Sequence, residues 1–511
     1  MKKKKQDSLS LKPDGREIPQ DLRLFLQGEK EKNEKNKIKN RPIVFMSYVM
    51  VMVFMCMFAY IIYFMFADSK KIVANSTNKR QDQAMEIVTR GNIISSDGVV
   101  LARTEVDAEG NETRNYPYGS LFAHTVGYND YGRSGIELQH NFDLMSSHIN
   151  IASKVKSDLA ETKKPGDNVI SSLDYDMQKA AADALGTATG AVVVLEASTS
   201  RILAMYSNPT FDPNDMAGVW ESVHSDEGAN STVFLNRATQ GLYAPGSTFK
   251  VITAMEYIKE HPDNYMDYNY TCGGTDIFSS VHIKCVSSAA HGNLDLTNSL
   301  AQSCNTSFAN IGVTDLDIGG LRQMTDSLLF NNSLGYEGEY SKSKFELTSE
   351  SPLYDIPQTV IGQGNTLITP LHNAMIMQAV ANGGVMMKPI VVDRIESAEG
   401  NMVSEVKPES LGTVLDPDVT SKVIPMLKEV CLTGSASSYM AGKSYSVAGK
   451  TGTAEYDNFG NCNSWFVGYT NIEKPDIVVS VIVEDYNINA LSGTCVASQV
   501  MDAYYNQPNN D

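Results

Sequence analysis

The decisive stretch of the sequence reads Ala244-Pro245-Gly246-Ser247-Thr248-Phe249-Lys250-Val251-Ile252. The Pro-Gly pair predicts a turn, after which Ser247 stands where a helix would begin. A helix would place the Ser247 and Lys250 side chains, three residues apart, on one face. A serine hydroxyl becomes a good nucleophile when a base removes its proton, and a lysine with a lowered pKa can be that base. The stretch therefore indicates a nucleophilic serine at a helix N-terminus, whose backbone N–H groups can stabilise an oxyanion.

The Ser-x-x-Lys spacing alone is a weak signal, because an N-cap serine followed by a solvated lysine gives the same pattern. The same Ser-x-x-Lys pattern also occurs at Ser76, Ser153, Ser341 and Ser404. Two further motifs follow Ser247 in order, and each alone could be an exposed turn. Ser303-Cys304-Asn305 predicts a turn between helices, and Lys450-Thr451-Gly452-Thr453 holds the only Lys-Ser/Thr-Gly of the chain. The ordered trio resembles the signature of serine β-lactamases and penicillin-binding proteins.

The chemistry of such a site assigns an expected role to each residue type. We expect Lys250 to activate Ser247 and Ser303 to relay a proton to the leaving group. Asn305 would hold the substrate amide, and Lys450 would place a cation near the substrate carboxylate and near Lys250. We expect Gly452 to let the strand backbone approach the substrate without a Cβ clash. Hydroxyls for the carboxylate would come from Thr451 and Thr453, and the oxyanion hole from the N–H groups of Ser247 and Thr453.

The N-terminal region predicts a membrane anchor. Residues 1–41 hold 13 basic and 7 acidic side chains, so they carry +6 while the remainder carries −24. The 25 residues from Ile43 to Ala67 contain no charged side chain, which predicts a membrane-spanning helix over 42–67. By the positive-inside rule residues 1–41 form a cytoplasmic basic tail, disordered or weakly helical, and the rest is extracytoplasmic. The net charge of −18 argues against a nucleic-acid surface.

The remaining sequence predicts a small mixed region over 70–165 and one large domain over 168–505, separated by turn residues at Lys163–Asp167. Ser95–Gly98 predicts a hairpin turn in the small region. In the large domain, residues 191–195 and 201–205 predict an antiparallel hairpin. Helical patterns dominate from there to about residue 435, and strand patterns return at 464–470 and 477–483. A sheet formed from both ends of a domain with helices between is an α/β or α+β layered fold.

Further segments make the resemblance to class B penicillin-binding proteins cover nearly the whole chain. In the large domain these are Gly190–Val194, Pro209–Asn214, Asn236–Ala238, His291-Gly292, Gly362–Gly364, Thr369–Leu371, Ala381–Gly384 and Trp465–Tyr469. In the small region they are Arg90–Ile94, Leu101-Ala102, Tyr116–Gly119, Gly127-Tyr128 and Ser134–Glu137. Ser95-Ser96 departs from the family's usual Asp-Arg, which puts a pedestal salt bridge in doubt. The resemblance implies a β-lactamase-like transpeptidase domain with an antiparallel sheet and a helical subdomain, raised on a small pedestal.

The resemblance also implies an activity. Ser247 would attack the penultimate D-Ala carbonyl of a D-Ala-D-Ala stem peptide, and an amine of a second stem would take the acyl group. β-Lactams would acylate the same serine, and no bound cofactor is implied. Because 70–165 is too short for a glycosyltransferase domain, a multi-spanning membrane glycosyltransferase is the implied partner. The compact pedestal is similar to the short subgroup of Gram-positive bacteria.

Cysteines and motifs give little support to a metal site. Six cysteines lie outside the predicted span, on the side of the membrane where disulfides can persist. They are Cys272, Cys285, Cys304, Cys431, Cys462 and Cys495. Cys272 and Cys285 could close a short loop, although sequence does not fix connectivity. Cys304 is expected to be a small buried filler. No Cys-x-x-Cys or His-Glu-x-x-His motif is present, so we expect no metal ligands.

Three other functions remain open. A β-lactamase on the same fold would need a deacylating water with its base, and no glutamate-containing loop is assignable to that purpose. A β-lactam sensor would need a signalling domain larger than residues 1–41, and a scaffold would not need the motif residues. D,D-carboxypeptidase activity, with water as acceptor, is compatible with the same residues. The sequence does not distinguish division, elongation and sporulation.

Overall fold

The computed structural model describes residues 18–67, 86–225, 228, 231–455, 461–486 and 491–507. The chain divides into one unit up to Asn75 and a second from Ser76 onward, and each is described by itself. Residues 1–17 of the predicted tail and 70–85 of the predicted pedestal lie outside the described residues.

The described part of the first unit contains a single helix, α1, over Gln20–Ala67. It contains the predicted span but begins well before it, within the segment expected to be disordered or weakly helical. Glutamate, lysine, glutamine and leucine are strong helix formers and are abundant there. The part over Arg41–Phe64 is long and apolar enough to cross a membrane, and none of its side chains is buried within the unit. Length and composition therefore fit a membrane anchor.

The second unit contains fifteen further α-helices among its described residues. In chain order they are α2 (Ala123–Val126), α3 (Gly135–Gln139), α4 (Asn141–Leu144), α5 (Ile151–Leu159), α6 (Tyr175–Leu185), α7 (Met216–His224), α8 (Lys250–Glu260), α9 (Leu296–Ala301), α10 (Asn305–Asn310), α11 (Ile318–Ser327), α12 (Ile356–Thr359), α13 (Pro370–Ala381), α14 (Pro417–Leu432), α15 (Ser437–Met440) and α16 (Gly493–Tyr505).

Nineteen strands are described in the same unit. They are β1 (Val88–Thr89), β2 (Ile93–Ile94), β3 (Val100–Val106), β4 (Glu112–Asn115), β5 (Lys164–Pro165), β6 (Asn168–Ser171), β7 (Gly190–Glu196), β8 (Ile202–Asn208), β9 (Tyr270–Cys272), β10 (Thr275–Phe278), β11 (Val281–Lys284), β12 (Gly292–Leu294), β13 (Val385–Met387), β14 (Val392–Glu396), β15 (Met402–Glu405), β16 (Ser410–Thr413), β17 (Val447–Glu455), β18 (Cys462–Thr470) and β19 (Ile477–Tyr486).

A five-stranded antiparallel sheet is the centre of the large domain, in the order β17-β18-β19-β7-β8. It confirms the predicted hairpin (β7–β8) and the two returning strands (β18 and β19). The inner strands are buried on both faces. Helices α6 and α16 pack against each other and against the sheet, and α13 and α14 form a second pair of packed helices. This is the layered fold expected from strands at both ends of a domain. Strand β17 lies at the sheet edge and carries Lys450.

A six-stranded sheet, in the order β15-β14-β6-β2-β3-β4, crosses the predicted domain boundary. The β2–β3 hairpin is confirmed, and its turn is closed by Ser95, whose Oγ accepts a 2.8 Å hydrogen bond from the Val99 N–H. Strands β14 and β15 come from the middle of the large domain, yet they continue the pedestal sheet through β6. The two predicted domains therefore share one sheet, and the domain boundary at 165–168 stays a prediction.

The region between residues 250 and 435 is less helical than its pattern predicts. Strands β9 to β12 form two separate two-stranded sheets ahead of the Ser303 motif. Their short segments carry Gly and Ser in turn positions, and Ser279 and Ser280 both have positive φ. Such short hairpins give too few alternating residues to produce a clear period-2 signal.

Candidate active site

Ser247 lies in a one-turn 3₁₀ helix over Gly246–Thr248 that leads directly into α8. This confirms the predicted turn and helix start. Gly246 has φ +53, a conformation that favours glycine, and its N–H donates a 2.8 Å hydrogen bond to Gly362 O. A Cβ on Gly246 would lie 2.6 Å from Thr453 O. Glycine at this position therefore allows the Ser247 turn to contact β17.

Lys250 connects the Ser247 helix to the second motif. Its side chain is fully buried, and its Nζ donates to Ser303 O at 2.7 Å and to Asn305 Oδ1 at 2.6 Å. The same Nζ lies 3.5 Å from Ser303 Oγ. Lys250 thus makes three direct contacts with the Ser303 motif, while its expected action on the Ser247 hydroxyl stays a prediction.

The Ser303 motif is the predicted turn between two helices, α9 and α10. Ser303 has φ +55, a left-handed conformation that is sterically costly for serine and concentrates at functional sites. Asn305 begins α10, and its Nδ2 donates a 2.6 Å hydrogen bond to Lys284 O. The Asn305 amide therefore bridges Lys250 and the β11 strand, with one Nδ2 hydrogen left for a further acceptor.

Lys450 approaches the same serine from the sheet edge. It is fully buried, and its Nζ donates to Ser303 Oγ at 2.9 Å and to Thr451 O at 3.1 Å. Ser303 Oγ is therefore shared by two lysines from different motifs. Thr451 Oγ1 lies 2.6 Å from Ser435 Oγ, whereas Thr453 is exposed on the strand.

Burial sets the electrostatics of the two lysines. Desolvation lowers the pKa of Lys250 to about 7, although the sulfur atoms of Cys304 and Cys285 oppose this change. Desolvation also lowers the pKa of Lys450 well below its ordinary value, and the charge of Lys250 adds to the effect. Because two ammonium groups beside one hydroxyl repel each other, the site favours one charged and one neutral lysine.

Gly452 has a packing role that the sequence did not predict. A Cβ on Gly452 would lie 2.9 Å from Trp465 Cβ, 3.0 Å from Thr248 Cγ2 and 3.1 Å from Pro245 O. Glycine here lets β17 pack against the Ser247 turn, while its expected role in the approach to substrate stays a prediction. The Trp465 indole strengthens this contact by donating a 3.0 Å hydrogen bond to Ala244 O.

Gly452→Ala should therefore move the strand away from the turn. We expect a loss of about 1–3 kcal/mol of stability, typical of added volume in a packed interior, and slower acylation by penicillin. Gly273→Ala is the matched control, since a Cβ there meets nothing within 4 Å. Denaturant unfolding and acylation rates of both variants check the expectation. Equal behaviour of the two variants would contradict the packing role.

Ser435 and Glu484, which the sequence had not singled out, support the site. Ser435 follows α14, and its neighbour Gly434 lies so close to α9 that a Cβ would sit 2.4 Å from Ala301 O. Glu484 of β19 pairs with Arg237 at 2.7 Å and accepts a 2.6 Å hydrogen bond from Tyr243 Oη. The Thr-Gly-Ser sequence at 433–435 was the available signal for Ser435, while the Glu484 contact depends on long-range packing.

Three cysteines and one histidine form an unexpected cluster beside the Ser303 motif. The ligand atoms of Cys272, Cys285, His291 and Cys304 all lie within 4.8 Å of one another. Such a set can hold a metal ion, although the sequence motifs predicted no metal site. The four residues are spread over 33 positions without a Cys-x-x-Cys pair, so only folding brings them together.

Comparison with known proteins places this geometry in a family. Residues 190–504 match the family described as the penicillin binding protein transpeptidase domain. The chain belongs to this family. Residues 90–169 match the penicillin binding protein A dimerisation domain, and the two matches together identify a class B penicillin-binding protein.

Individual relatives agree with the assignment. This penicillin-binding protein is 27% identical over 426 residues to a peptidoglycan D,D-transpeptidase PbpA of Mycolicibacterium smegmatis, covering 78% of this chain and 84% of the relative. A solved D,D-transpeptidase domain from Eggerthella lenta is 31% identical with a TM-score of 0.72, covering 81% of this chain and 97% of the other. The penicillin G acyl-enzyme complex of penicillin-binding protein A from M. tuberculosis is 25% identical with a TM-score of 0.71, covering 82% and 99%.

Proposed function

We propose that this penicillin-binding protein is a peptidoglycan D,D-transpeptidase that cross-links stem peptides through an acyl-enzyme on Ser247. The observation that carries the proposal is the convergence of Lys250 and Lys450 on Ser303 Oγ, next to the turn that holds Ser247. Family membership and the D,D-transpeptidase relatives support the same activity. The penicillin G adduct of a structural relative supports β-lactams as ligands of the site.

In the proposed reaction, Ser247 Oγ attacks the carbonyl carbon of the penultimate D-Ala while neutral Lys250 accepts its proton. The N–H groups of Ser247 and Thr453 stabilise the oxyanion. When the C–N bond to the terminal D-Ala breaks, Ser303 passes a proton from the lysine pair to the leaving amine. The amine of a second stem peptide then attacks the Ser247 ester, forms the cross-link and returns the serine.

Lys450 gives the site a way to respond to substrate. In the free protein burial disfavours its charged form, but a substrate carboxylate beside Thr451 would favour it. A charged Lys450 would in turn favour neutral Lys250 by repulsion across Ser303. Substrate binding would thus prepare the base that activates Ser247.

The pH dependence of acylation follows from the base role of Lys250. Since only neutral lysine accepts a proton, the rate should rise with pH through about 7, the pKa of Lys250, and fall about tenfold per pH unit below it. Second-order acylation rates with a fluorescent penicillin check this profile, with circular dichroism at each pH to show that the fold is intact. A flat profile over this range would contradict Lys250 as the base.

The anchor, the orientation and the partner complete the proposal. The predicted helix over 42–67, which overlaps the long apolar part of α1 at Arg41–Phe64, would span the membrane, with residues 1–41 in the cytoplasm and the catalytic domain outside. Residues 70–165 would form the pedestal, similar to the short Gram-positive subgroup, and 168–505 the transpeptidase domain. A multi-spanning membrane glycosyltransferase would supply the glycan strands.

A product assay tests the proposed activity. Full-length protein, lipid-linked pentapeptide substrate and a membrane glycosyltransferase should yield cross-linked muropeptides with release of one D-Ala for each cross-link. D-Ala release without cross-links would indicate a carboxypeptidase instead. Rapid turnover of penicillin G would indicate a β-lactamase.

A further inference from the structure

Helix α5 of the pedestal turns its apolar side chains away from the protein. Ile151, Val155 and Leu159 are 82%, 50% and 81% exposed, and no residue of the helix is buried. At 3.6 residues per turn these three positions lie within about 80° of one another, so they form one stripe along the helix. Surface helices of a globular domain normally turn such a stripe towards the core. Helix α5 therefore has the reverse arrangement.

Polar side chains hold α5 on the domain from the opposite face. Ser153 and Ser157 are the two half-buried residues of the helix. The Ser153 hydroxyl donates to the carboxylate of Glu399, in the turn between β14 and β15, and Asn150 Nδ2 donates to the same carboxylate at 2.7 Å. Hydrogen bonds rather than packing of the apolar stripe therefore keep the helix in place.

Lysines border the stripe on both sides. Lys154 and Lys156 are exposed, and each lies about 60° around the helix from one edge of the stripe. Asp158 is paired with Lys164 at 3.0 Å. Residues 150–165 hold four lysines and two acidic residues, or +2, on a chain whose net charge is −18. An apolar stripe between lysines, whose long stems carry their charge outwards, is typical of a helix in a membrane interface.

The stripe lies at the end of the pedestal where the chain arrives from α1. Val88 of β1 pairs with Lys164 of β5, five residues after Leu159. The 20 residues 68–87 join α1 to β1, and this connection reaches at most about 70 Å when fully extended. A tether of this length to a membrane anchor raises the effective concentration of α5 at the bilayer surface. Even a small apolar surface can therefore bind there.

We propose that α5 lies on an anionic phospholipid surface, with its apolar stripe among the lipid chains and Lys154 and Lys156 at the phosphate groups. The local positive charge favours this occupant over a protein, and the small size of the stripe agrees, because a stable protein interface takes about 20–30 residues from each side. The contact gives the pedestal a second attachment to the membrane. It rests on the anchor and orientation of the proposed function, and not on the transpeptidase reaction.

Photocrosslinking of the full-length protein in vesicles tests the proposal. Val155 is replaced by the photoreactive amino acid p-benzoylphenylalanine, and the protein is reconstituted in phosphatidylglycerol mixed with phosphatidylcholine. Mass spectrometry should find several-fold more lipid adducts at position 155 than at position 353 labelled in the same way. Leu353 is the matched control, because it is an apolar side chain that is 68% exposed and lies outside the pedestal.

Two variants separate the apolar contribution from the electrostatic one. Leu159→Glu should lower the lipid adducts at position 155 several-fold, because it places a charge within the stripe. Lys154→Gln combined with Lys156→Gln should lower them in vesicles that contain phosphatidylglycerol but not in phosphatidylcholine alone. All three positions are exposed, so urea unfolding of the variants should match that of the wild type.

Three outcomes would overturn the proposal. The first is lipid labelling at position 155 no higher than at position 353, and the second is labelling at position 155 that Leu159→Glu leaves unchanged. The third is adducts mainly between protein chains, which would make the stripe an interface between two copies. Penicillin labelling of Ser247 in the same vesicles tests the proposed function separately, so each result can fail without the other.

Discussion

Ser247→Ala should abolish labelling by a fluorescent penicillin and lower transpeptidation by at least ~10⁴-fold, because the substitution removes the hydroxyl on which the acyl-enzyme forms. The turn geometry should survive the change. Ser247 is half-buried, and the positive φ that shapes the turn belongs to Gly246. Residual acceleration would come from the oxyanion donors and substrate positioning alone. Quantitative gel fluorescence and muropeptide analysis measure the two effects.

Ser404→Ala is the matched control for this prediction. Ser404 has the same Ser-x-x-Lys spacing but lies on β15, where every residue is exposed. It should keep full labelling and full activity. Persistent stoichiometric labelling of Ser247→Ala would place the acylated nucleophile elsewhere.

Glu137→Ala should produce the largest loss of stability among single substitutions in the pedestal. Glu137 is fully buried and accepts from Arg90 Nε at 2.6 Å and from Arg114 Nε at 2.7 Å. Both arginines are themselves buried, and Arg114 also donates to Gly91 O. This triad is a buried ion-pair network that does not involve Ser95 or Ser96.

Removing Glu137 leaves two buried guanidinium groups without a counter-charge, which typically costs about 3–5 kcal/mol. Urea unfolding followed by circular dichroism measures the loss. Glu105→Ala is the control, because the Arg103–Glu105 pair is about half exposed on both sides and exposed pairs contribute about 0–1 kcal/mol. Similar losses in the two variants would contradict the buried-triad interpretation.

The same triad predicts how stability depends on pH. Burial alone would raise the pKa of Glu137, but Arg90 and Arg114 outweigh it, so the pKa is lowered overall. A carboxyl with a lowered folded-state pKa stabilises at neutral pH, and this contribution is lost as pH falls below the ordinary glutamate pKa of about 4.3. The difference between wild type and Glu137→Gln should therefore shrink as acid is added.

Local signals in the sequence predicted the parts of the fold that depend on neighbouring residues. The β7–β8 hairpin, the strands around Trp465 and the Ser247 turn each have a pattern within about ten residues. The pairing of Ser303 with Lys250 and Lys450 was predictable only because ordered motifs identify a known chemistry. Propensity and periodicity alone contain no information about which distant segments meet.

Features formed by distant segments were the ones missed. The sheet that joins β6 to β14 depends on strands more than 200 residues apart, and the role of Gly452 appears only when Thr248 and Trp465 surround it. The cysteine and histidine cluster is similar, because folding brings together residues that lie up to 32 positions apart in the sequence. The predicted helix was shorter than α1, because the charged segment before the apolar span lacks the apolar stripe that marks a packed helix.

The most direct test of the central claim is the site of the covalent adduct. Full-length protein treated with penicillin G should gain the mass of one penicilloyl group, and peptide mapping should place it on Ser247. The Ser404 peptide should remain unmodified in the same digest. An adduct on any other residue, or no adduct on folded protein, would contradict the assignment of Ser247 as the nucleophile.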